Sequence, residues 1–470
     1  MKRIAIIGGG ISGLSAAHTI EEKRQSGTPI EYVLFESSPR LGGVLFTERV
    51  EGCLLEAGAD SFLSEKPWAS DLCRKIGLGD QLIGSNDADR KTYIVAKGEL
   101  VEMPDGLMFM VPTKIMPTIR SPLFSWGTKI RMAAEWFHPR REASGDETVA
   151  EFVERHYGSE VVDLLADPLL SGVYGGEASQ LSLRAVLPRF ADMESKHGSL
   201  GRGMVEARKK TGAVPAVPPQ SIFTSLRDGM QQMVSGLVAS LDARSLKTSA
   251  SVRSLIFQND GWTVSAGYQS DQFDAVIVAI PAPNAAAILQ TADESLAREL
   301  AAIQYSSSVT VALGYDEKVR AALPPGFGFL VPRTENRRLL AATFVHNKFP
   351  HRAPEDRALL RCFLGGVRDE KILQASEKDI LRIVRDELRQ IVSLDAEPLF
   401  ARVYKWRSAM AQYSVGHMER VQRIEERRQK MSGLALAGNG YSGIGVPDCV
   451  RSGTEAACKI LSEMGMWSAA

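Results

Sequence analysis

The stretch Ile4-Ala-Ile-Ile-Gly-Gly-Gly-Ile-Ser-Gly13 constrains this chain more than any other. An apolar run that reads as a buried strand (Ile4 to Ile7) meets a turn of glycines, and a helix pattern follows from Leu14. Gly8, Gly10 and Gly13 fill the three positions of G-x-G-x-x-G. The first permits a tight turn, the second lets backbone approach a pyrophosphate, and the third lets helix pack on strand. The helix N-terminus then directs its free N–H groups at the phosphates. A second apolar strand, Tyr32 to Phe35, ends at Glu36, 23 residues beyond Gly13, where an acid can hold a ribose hydroxyl. Strand, turn, helix and acid together predict a dinucleotide site and therefore redox chemistry. NAD and FAD are both open at this point.

With 470 residues the chain exceeds one simple core, so two or three domains are expected. Basic and acidic residues number 56 each, and the zero net charge argues against nucleic acid as a partner. Five scattered cysteines (Cys53, Cys73, Cys362, Cys449, Cys458) form no CxxC pair and no disulfide framework, which suits a reducing compartment. The seven histidines show no metal-binding spacing, and no metal is expected. Met1-Lys2-Arg3 leads straight into the first strand, so no signal peptide is expected. No apolar run approaches the ~18–20 residues that span a bilayer. A cytoplasmic location follows. Residues 103–137 are apolar and broken by prolines (Met108, Phe109, Met110, Val111, Leu123, Phe124, Trp126). They suit core packing, a cover over a substrate cavity, or contact with a membrane surface.

Residues 66–82 read as helix, and Thr92–Val95 with Glu99–Glu102 as a hairpin about Lys97-Gly98. Residues 127–200 read as mostly helical. Residues 201–220 read as loop, because Thr211-Gly-Ala-Val-Pro-Ala-Val-Pro-Pro breaks regular structure. Asn259-Asp260-Gly261 signals a second hairpin between Ser251–Phe257 and Trp262–Ala266. Phe273 to Pro281 is a buried strand, and further strands are expected at Val309–Tyr315, Phe327–Val331, Leu339–Phe344 and Leu359–Phe363. Residues 377–393 form an amphipathic helix. Leu434–Ala437 is a last buried strand, followed by Gly438-Asn-Gly440 and a helix that Pro447 starts soundly. Placed beside the first glycine turn, that helix would turn its positive end to a flavin ring and favour the negative charge of the reduced form.

Arg40-Leu-Gly-Gly43 follows Glu36 closely, an arrangement common among FAD-binding oxidases and desaturases. More specific are Gly58-Ala-Asp-Ser-Phe-Leu, Pro168-Leu-Leu-Ser-Gly-Val-Tyr-Gly-Gly, Gln180-Leu-Ser-Leu, Gly326-Phe-Gly-Phe-Leu-Val-Pro, Phe349-Pro-His-Arg-Ala-Pro and Gly443-Ile-Gly-Val-Pro-Asp-Cys. Over essentially its whole length the chain resembles the protoporphyrinogen oxidase and coproporphyrinogen III oxidase family, FAD enzymes of haem biosynthesis. The resemblance implies an α/β (α+β mixed) fold: a Rossmann-like FAD-binding domain of the amine-oxidase-like type, a mixed-sheet substrate domain and a helical domain. The implied division is FAD-binding at 1–90, 216–290 and 405–470, a helical, membrane-facing unit with substrate contacts at 91–215, and substrate-binding at 291–404. The implied reaction takes six electrons from a porphyrinogen in three hydride transfers to flavin N5, with molecular oxygen reduced to hydrogen peroxide. A ferrochelatase would act downstream, and the protein would touch the inner face of the cell membrane peripherally. Monomer and homodimer are both open.

The resemblance carries over residue by residue. For FAD it gives Gly8, Gly10, Ser12, Gly13, Glu36, Ser37, Arg40 and Gly43; the loop Gly58, Ala59, Asp60 and Ser61; Val252 at the adenine; Trp406; and the turn Gly445, Val446, Pro447. For substrate it gives Gly172, with Leu330 and Phe344 either packing the macrocycle or filling sheet core. Lys66 and Lys348 match positions that are basic in the coproporphyrinogen branch, whose substrate carries four propionates against two. The family often has Arg just before the residue matching Tyr93, and Thr92 stands there instead. No catalytic dyad is evident, so no general base is assigned; the cofactor carries the chemistry. Coproporphyrinogen III and protoporphyrinogen IX are not separated. The competing readings are a flavin amine oxidase or desaturase on the same fold, for which Cys449 would be a covalent attachment point, and a non-catalytic FAD-binding protein.

Overall fold

The apolar run at the N-terminus becomes the central strand (Lys2–Ile7) of a five-stranded parallel sheet in the computed structural model, which describes residues 1–108, 110–141, 145–210 and 221–467. The strand order is Leu246–Lys247, Ile30–Phe35, Lys2–Ile7, Ala275–Val278, Leu434–Leu436, with every pair parallel. The sheet thus draws strands from the beginning, middle and end of the chain. Its side chains divide by the two-residue period of a strand. Ile4 and Ile6 pack with Leu14, Ile20, Val450 and Ile460 of the covering helices. Ala5 and Ile7 face the other way, against Leu255 and Trp262. Both faces are covered, which is why these strands are apolar throughout. Leu255 and Trp262 belong to a three-stranded meander, Val252–Gln258, Gly261–Ala266 and Gln269–Phe273, whose first turn is the expected Asn-Asp-Gly hairpin.

A second, seven-stranded sheet runs Phe400–Ala411, Tyr305–Asp316, Arg357–Gly365, Leu339–Phe344, Gly328–Leu330, Thr92–Ala96, Glu99–Glu102. It is antiparallel except where Gly328–Leu330 meets Thr92–Ala96. The helix Glu377–Val392 closes one face with Ile380, Val384, Leu388 and Ile391. The hairpin at 92–102, grouped by sequence with the helical stretch, is part of this sheet. The strand Phe400–Ala411 runs across the expected boundary at 404/405.

Helices between residues 115 and 210 pack around Phe152, Tyr157, Leu165 and Phe190. Residues 201–210, read from sequence as loop, belong to a helix, Leu200–Lys210. Its glycines argued against helix, but its start is held from outside. The buried Glu135 carboxylate accepts from Leu200 N (2.6 Å) and Gly201 N (3.3 Å), and Ser199 Oγ accepts from Arg202 N (3.1 Å). The expected loop at 211–220 and Phe109 lie outside the described residues. Among the described residues, no helix is long and apolar enough to cross a membrane.

Candidate active site

The first strand ends in a turn that only glycine satisfies. Gly8 has φ +109°, and a Cβ there would strike Ala279 O. A Cβ on Gly13 would run into Gly8 O, so the helix lies directly on the turn. At Gly10 a Cβ would meet nothing within 4 Å, and the turn opens onto free space. Gly10 is the N-cap of the helix Ile11–Gln25 and offers no side-chain cap. Those N–H groups therefore project into the opening with the positive end of the helix dipole, about half an elementary charge.

The Glu36 carboxylate closes one side. It accepts from Gly9 N (2.7 Å), Ser38 N (2.8 Å) and Ser37 Oγ (3.3 Å). Ala250 N donates to Glu36 O (2.8 Å), which brings Val252, the first residue of the meander, to the same edge. Arg40 folds back on its own turn, donating to Leu45 O (3.1 Å) and Gly43 O and lying over the Phe46 ring. That closure sets Gly43 against Gly10: a Cβ on Gly43 would sit 3.2 Å from Gly10 Cα.

The loop 57–61 packs on this turn, since a Cβ on Gly58 would meet Val44 O. Trp406 Nε1 donates to Ala57 O (2.8 Å), and Ala59 packs beside the N-terminal helix core. Asp60 is half-buried, and its carboxyl sits well below the usual range: burial opposes this, but Lys348, Arg361 and Arg352 outweigh it, with help from Ser61. Lys348 Nζ donates to both Asp60 oxygens (3.0 and 3.2 Å) and lies 3.2 Å from Ser61 Oγ. Its three N–H groups are engaged and it is 8% exposed. This ammonium, expected from sequence to meet a propionate, is placed by the structure against the loop. Glu56, Arg352 and Arg361 complete the cluster and were not anticipated. The signal was present in Arg361, a cation inside the apolar run Leu359-Leu-Arg-Cys-Phe-Leu364.

The C-terminal helix Val446–Glu463 begins at Gly445, again without a side-chain cap, and Val446 and Pro447 are buried at its start. Asp448 in its first turn takes Lys66 Nζ on both oxygens (2.7 and 2.9 Å). A Cβ on Gly453 would collide with Ser12 O, so this helix lies against the N-terminal one at the buried Ser12. Cys449 is buried, and that burial pushes its thiol up to about 12.

A Cβ on Gly172, expected from sequence to face substrate, would meet nothing within 4 Å, so the helix Asp167–Tyr174 presents bare backbone to open space. Arg368 anchors that helix through Asp167 and Glu177 (3.1 Å), and Gln412 Nε2 donates to Tyr174 O (2.6 Å). A π-helical turn, Val162–Ala166, precedes it, a feature frequent at functional sites. Leu330 is half-buried and packs toward the helical core. Phe344 is wholly buried in the second sheet, edge-on to Phe329 at 6.1 Å. For Phe344, sheet core is the correct reading. Lys66 keeps about a third of its side chain exposed.

Two helices that pack on each other at Ser12 and Gly453, both with N-termini that no side chain caps, suit a cofactor with a diphosphate at one end and an anionic reduced ring at the other. The site and the two sheets define an FAD-dependent oxidoreductase. The chain belongs to the flavin containing amine oxidoreductase family, whose sequence pattern matches residues 11–461. It is 33% identical to coproporphyrinogen III oxidase of Bacillus subtilis (strain 168) over 98% of both chains. It is 27% identical to protoporphyrinogen oxidase 2 of Arabidopsis thaliana over 98% of this chain and 94% of that one. A solved protein from Exiguobacterium sp. 255-15, provisionally named protoporphyrinogen oxidase, superposes with a TM-score of 0.88 at 29% identity over 99% of both chains.

Proposed function

We propose that this FAD enzyme oxidises a porphyrinogen to the porphyrin in haem biosynthesis, with coproporphyrinogen III as its substrate. The observation that carries the cofactor side is the packing of the start of the first helix, at Ser12, on the C-terminal helix at Gly453, with neither helix start, at Gly10 or Gly445, capped by a side chain. The substrate side draws on the identity to the Bacillus relative, which exceeds that to the Arabidopsis one. When bound, the flavin would accept a hydride at N5 in each of three steps and pass the electrons to oxygen, giving hydrogen peroxide. Gly8, Gly10 and Gly13 leave room for the diphosphate, Glu36 offers acceptors to a ribose, and the Gly445 helix start favours negative charge on the ring. Gly172 offers backbone to the macrocycle, and Lys66, paired with Asp448 but with about a third of its side chain exposed, offers a cation to a propionate. In this reading residues 1–90, 216–290 and 405–470 serve FAD, 291–404 the substrate and 91–215 the helical cover. The porphyrin product is the substrate class of a ferrochelatase, the partner that would follow.

Aerobic turnover of the purified protein on coproporphyrinogen III and protoporphyrinogen IX, followed by porphyrin fluorescence and peroxide release, tests the proposal. Faster coproporphyrin formation with stoichiometric peroxide is expected. No fluorescence from either with FAD bound would overturn it and leave the amine-oxidising or non-catalytic readings. Lys66→Met is expected to raise KM for coproporphyrinogen several-fold with kcat nearly kept.

A surface reading has its own observation. Ile115, Trp126, Ile130 and Phe137 are 69, 70, 67 and 81% exposed, while Met110, Val111, Leu123, Phe124 and Met132 of the same segment are core. The exposed set is interleaved with Lys114, Arg120, Lys129, Arg131, Arg140 and Arg141; the one acid among them, Glu135, is buried. Apolar side chains among cations, of which Lys114 is paired with Asp105 (2.6 Å), fit the surface of an anionic bilayer, such as the inner face of a cell membrane.

A further inference from the structure

Three cations with nine-tenths or more of their surface buried converge on one short loop. Arg352, Arg361 and Lys348 are 1, 6 and 8% exposed. Arg361 donates to Gly58 O, Arg352 donates to Asp60 O (3.0 Å), and Lys348 grips the Asp60 carboxylate. Ser225 Oγ, itself held by Arg352 Nη2 at 2.5 Å, adds a second donor to Asp60 O (2.7 Å). With Trp406 on Ala57 O, every carbonyl named here is fixed by a side chain from outside the loop. Two carboxylates, Asp60 and Glu56, face the three cations. Burying so many ionisable groups is costly, and neutral donors could satisfy the same carbonyls. What neutral donors cannot supply is a positive surplus, felt strongly because little water screens it.

We propose that Arg352, Arg361 and Lys348 are positioning residues that fix the loop 57–61 against the flavin and hold a net positive charge behind it, raising the flavin's tendency to accept electrons. The inference rests on the FAD reading of that loop, supported by the continuous packing of Gly10, Gly43, Val44 and Gly58. These cations act through the loop and not on substrate.

The test uses the FAD-loaded full chain. Absence of FAD from the wild-type protein overturns the cofactor reading and the clamp with it. With FAD bound, Lys348→Met and Arg361→Gln are expected to shift the flavin reduction potential to more negative values and to alter its visible absorption bands, with Arg361→Lys restoring most of the potential. Ser225→Ala keeps all the charges and relaxes only the loop; it is expected to broaden the absorption bands and leave the potential nearly unchanged. If the loaded fraction of Arg361→Gln or Lys348→Met keeps the wild-type potential and spectrum, while only FAD retention or thermal stability falls, the residues are scaffold and the proposal is wrong.

Discussion

Glu56 shows what a single buried carboxyl does to the pH behaviour of a protein. It is 3% exposed, beside Arg352 (3.3 Å), and accepts from Met230 N (2.8 Å) and Thr47 Oγ1 (2.8 Å). Burial raises its pKa more than Arg352 and these donors lower it, and it is pushed up to about 7. An acid whose pKa is higher folded than unfolded favours the fold while protonated in both states. That contribution is complete below the unfolded value of 4.5 and is lost as the pH rises through about 7. The shift corresponds to about 3 kcal/mol at 1.36 kcal/mol per pH unit. Glu56→Gln, which mimics the protonated acid, should match wild type closely at pH 5 and lose less thermal stability between pH 5 and 8. Melting curves across that range check this; parallel wild-type and variant curves would refute it. The cluster was largely illegible in sequence because its members lie far apart: Glu56 and Asp60 in one segment, Lys348, Arg352 and Arg361 in another. Only the fold brings them together, whereas the Gly8-Gly10-Gly13 turn is local and could be read directly.

Secondary-structure elements were legible where their signal lay within them. The strand Lys2–Ile7 is buried on both faces, and the helix Glu377–Val392 carries a regular apolar stripe. The strand Phe400–Ala411 showed no pattern because it is the edge of the second sheet, half-exposed, with Arg402, Lys405 and Arg407 along it. The helix Leu200–Lys210 was hidden because Glu135, far back in sequence, holds its first amides. That same carboxylate bonds His156 Nδ1 (3.1 Å), and Glu194 bonds His156 Nε2 (3.2 Å). His138 stacks on the His156 ring at 4.2 Å, so the two imidazoles do not aim their lone pairs at one point, although these residues with Glu194 cluster like metal ligands. Burial works to lower the His156 pKa, but the bonds to the two carboxylates prevail and it lies above 6.5. The stabilisation is full below 6.5 and is lost as the pH rises through the folded value. Thermal stability should therefore fall on the alkaline side, and His156→Gln, less stable at pH 6, should show a shallower fall. At the helix pair, Gly453→Val should cost about 3 kcal/mol or more by driving a side chain into the Ser12 backbone. FAD retention on gel filtration should drop with it; a variant that holds FAD like wild type would show that close packing of the two helices at Ser12 is not needed for the cofactor.

At the scale of the whole molecule, the two ends of the chain come together at the glycine turns, and the helices between residues 115 and 210 carry an unusual outer face. The exposed apolar residues from Ile115 to Phe137 fall on the helices Ile115–Arg120 and Trp126–Ala134 and on the short turn Glu135–Phe137. Their inner neighbours Thr118, Thr128 and Met132 are buried, so this face points outward because the other is committed to the core. Two forces would then add at a bilayer. Each large apolar side chain moved out of water contributes about 1.5–3 kcal/mol when fully buried, and each nearby cation about 1 kcal/mol at an anionic surface. Trp126→Ser combined with Phe137→Ser should lose about 3 kcal/mol, roughly a hundredfold in partitioning to anionic vesicles. Wild-type binding should fall steeply as salt shortens the screening length from about 10 Å at 0.1 M to about 3 Å at 1 M, and should be weak on neutral vesicles. Turnover of a porphyrinogen delivered in solution should be unchanged by the double substitution, since neither side chain belongs to the site. Equal sedimentation of wild type and variant with anionic vesicles would refute the membrane reading and leave these side chains to a contact of another kind.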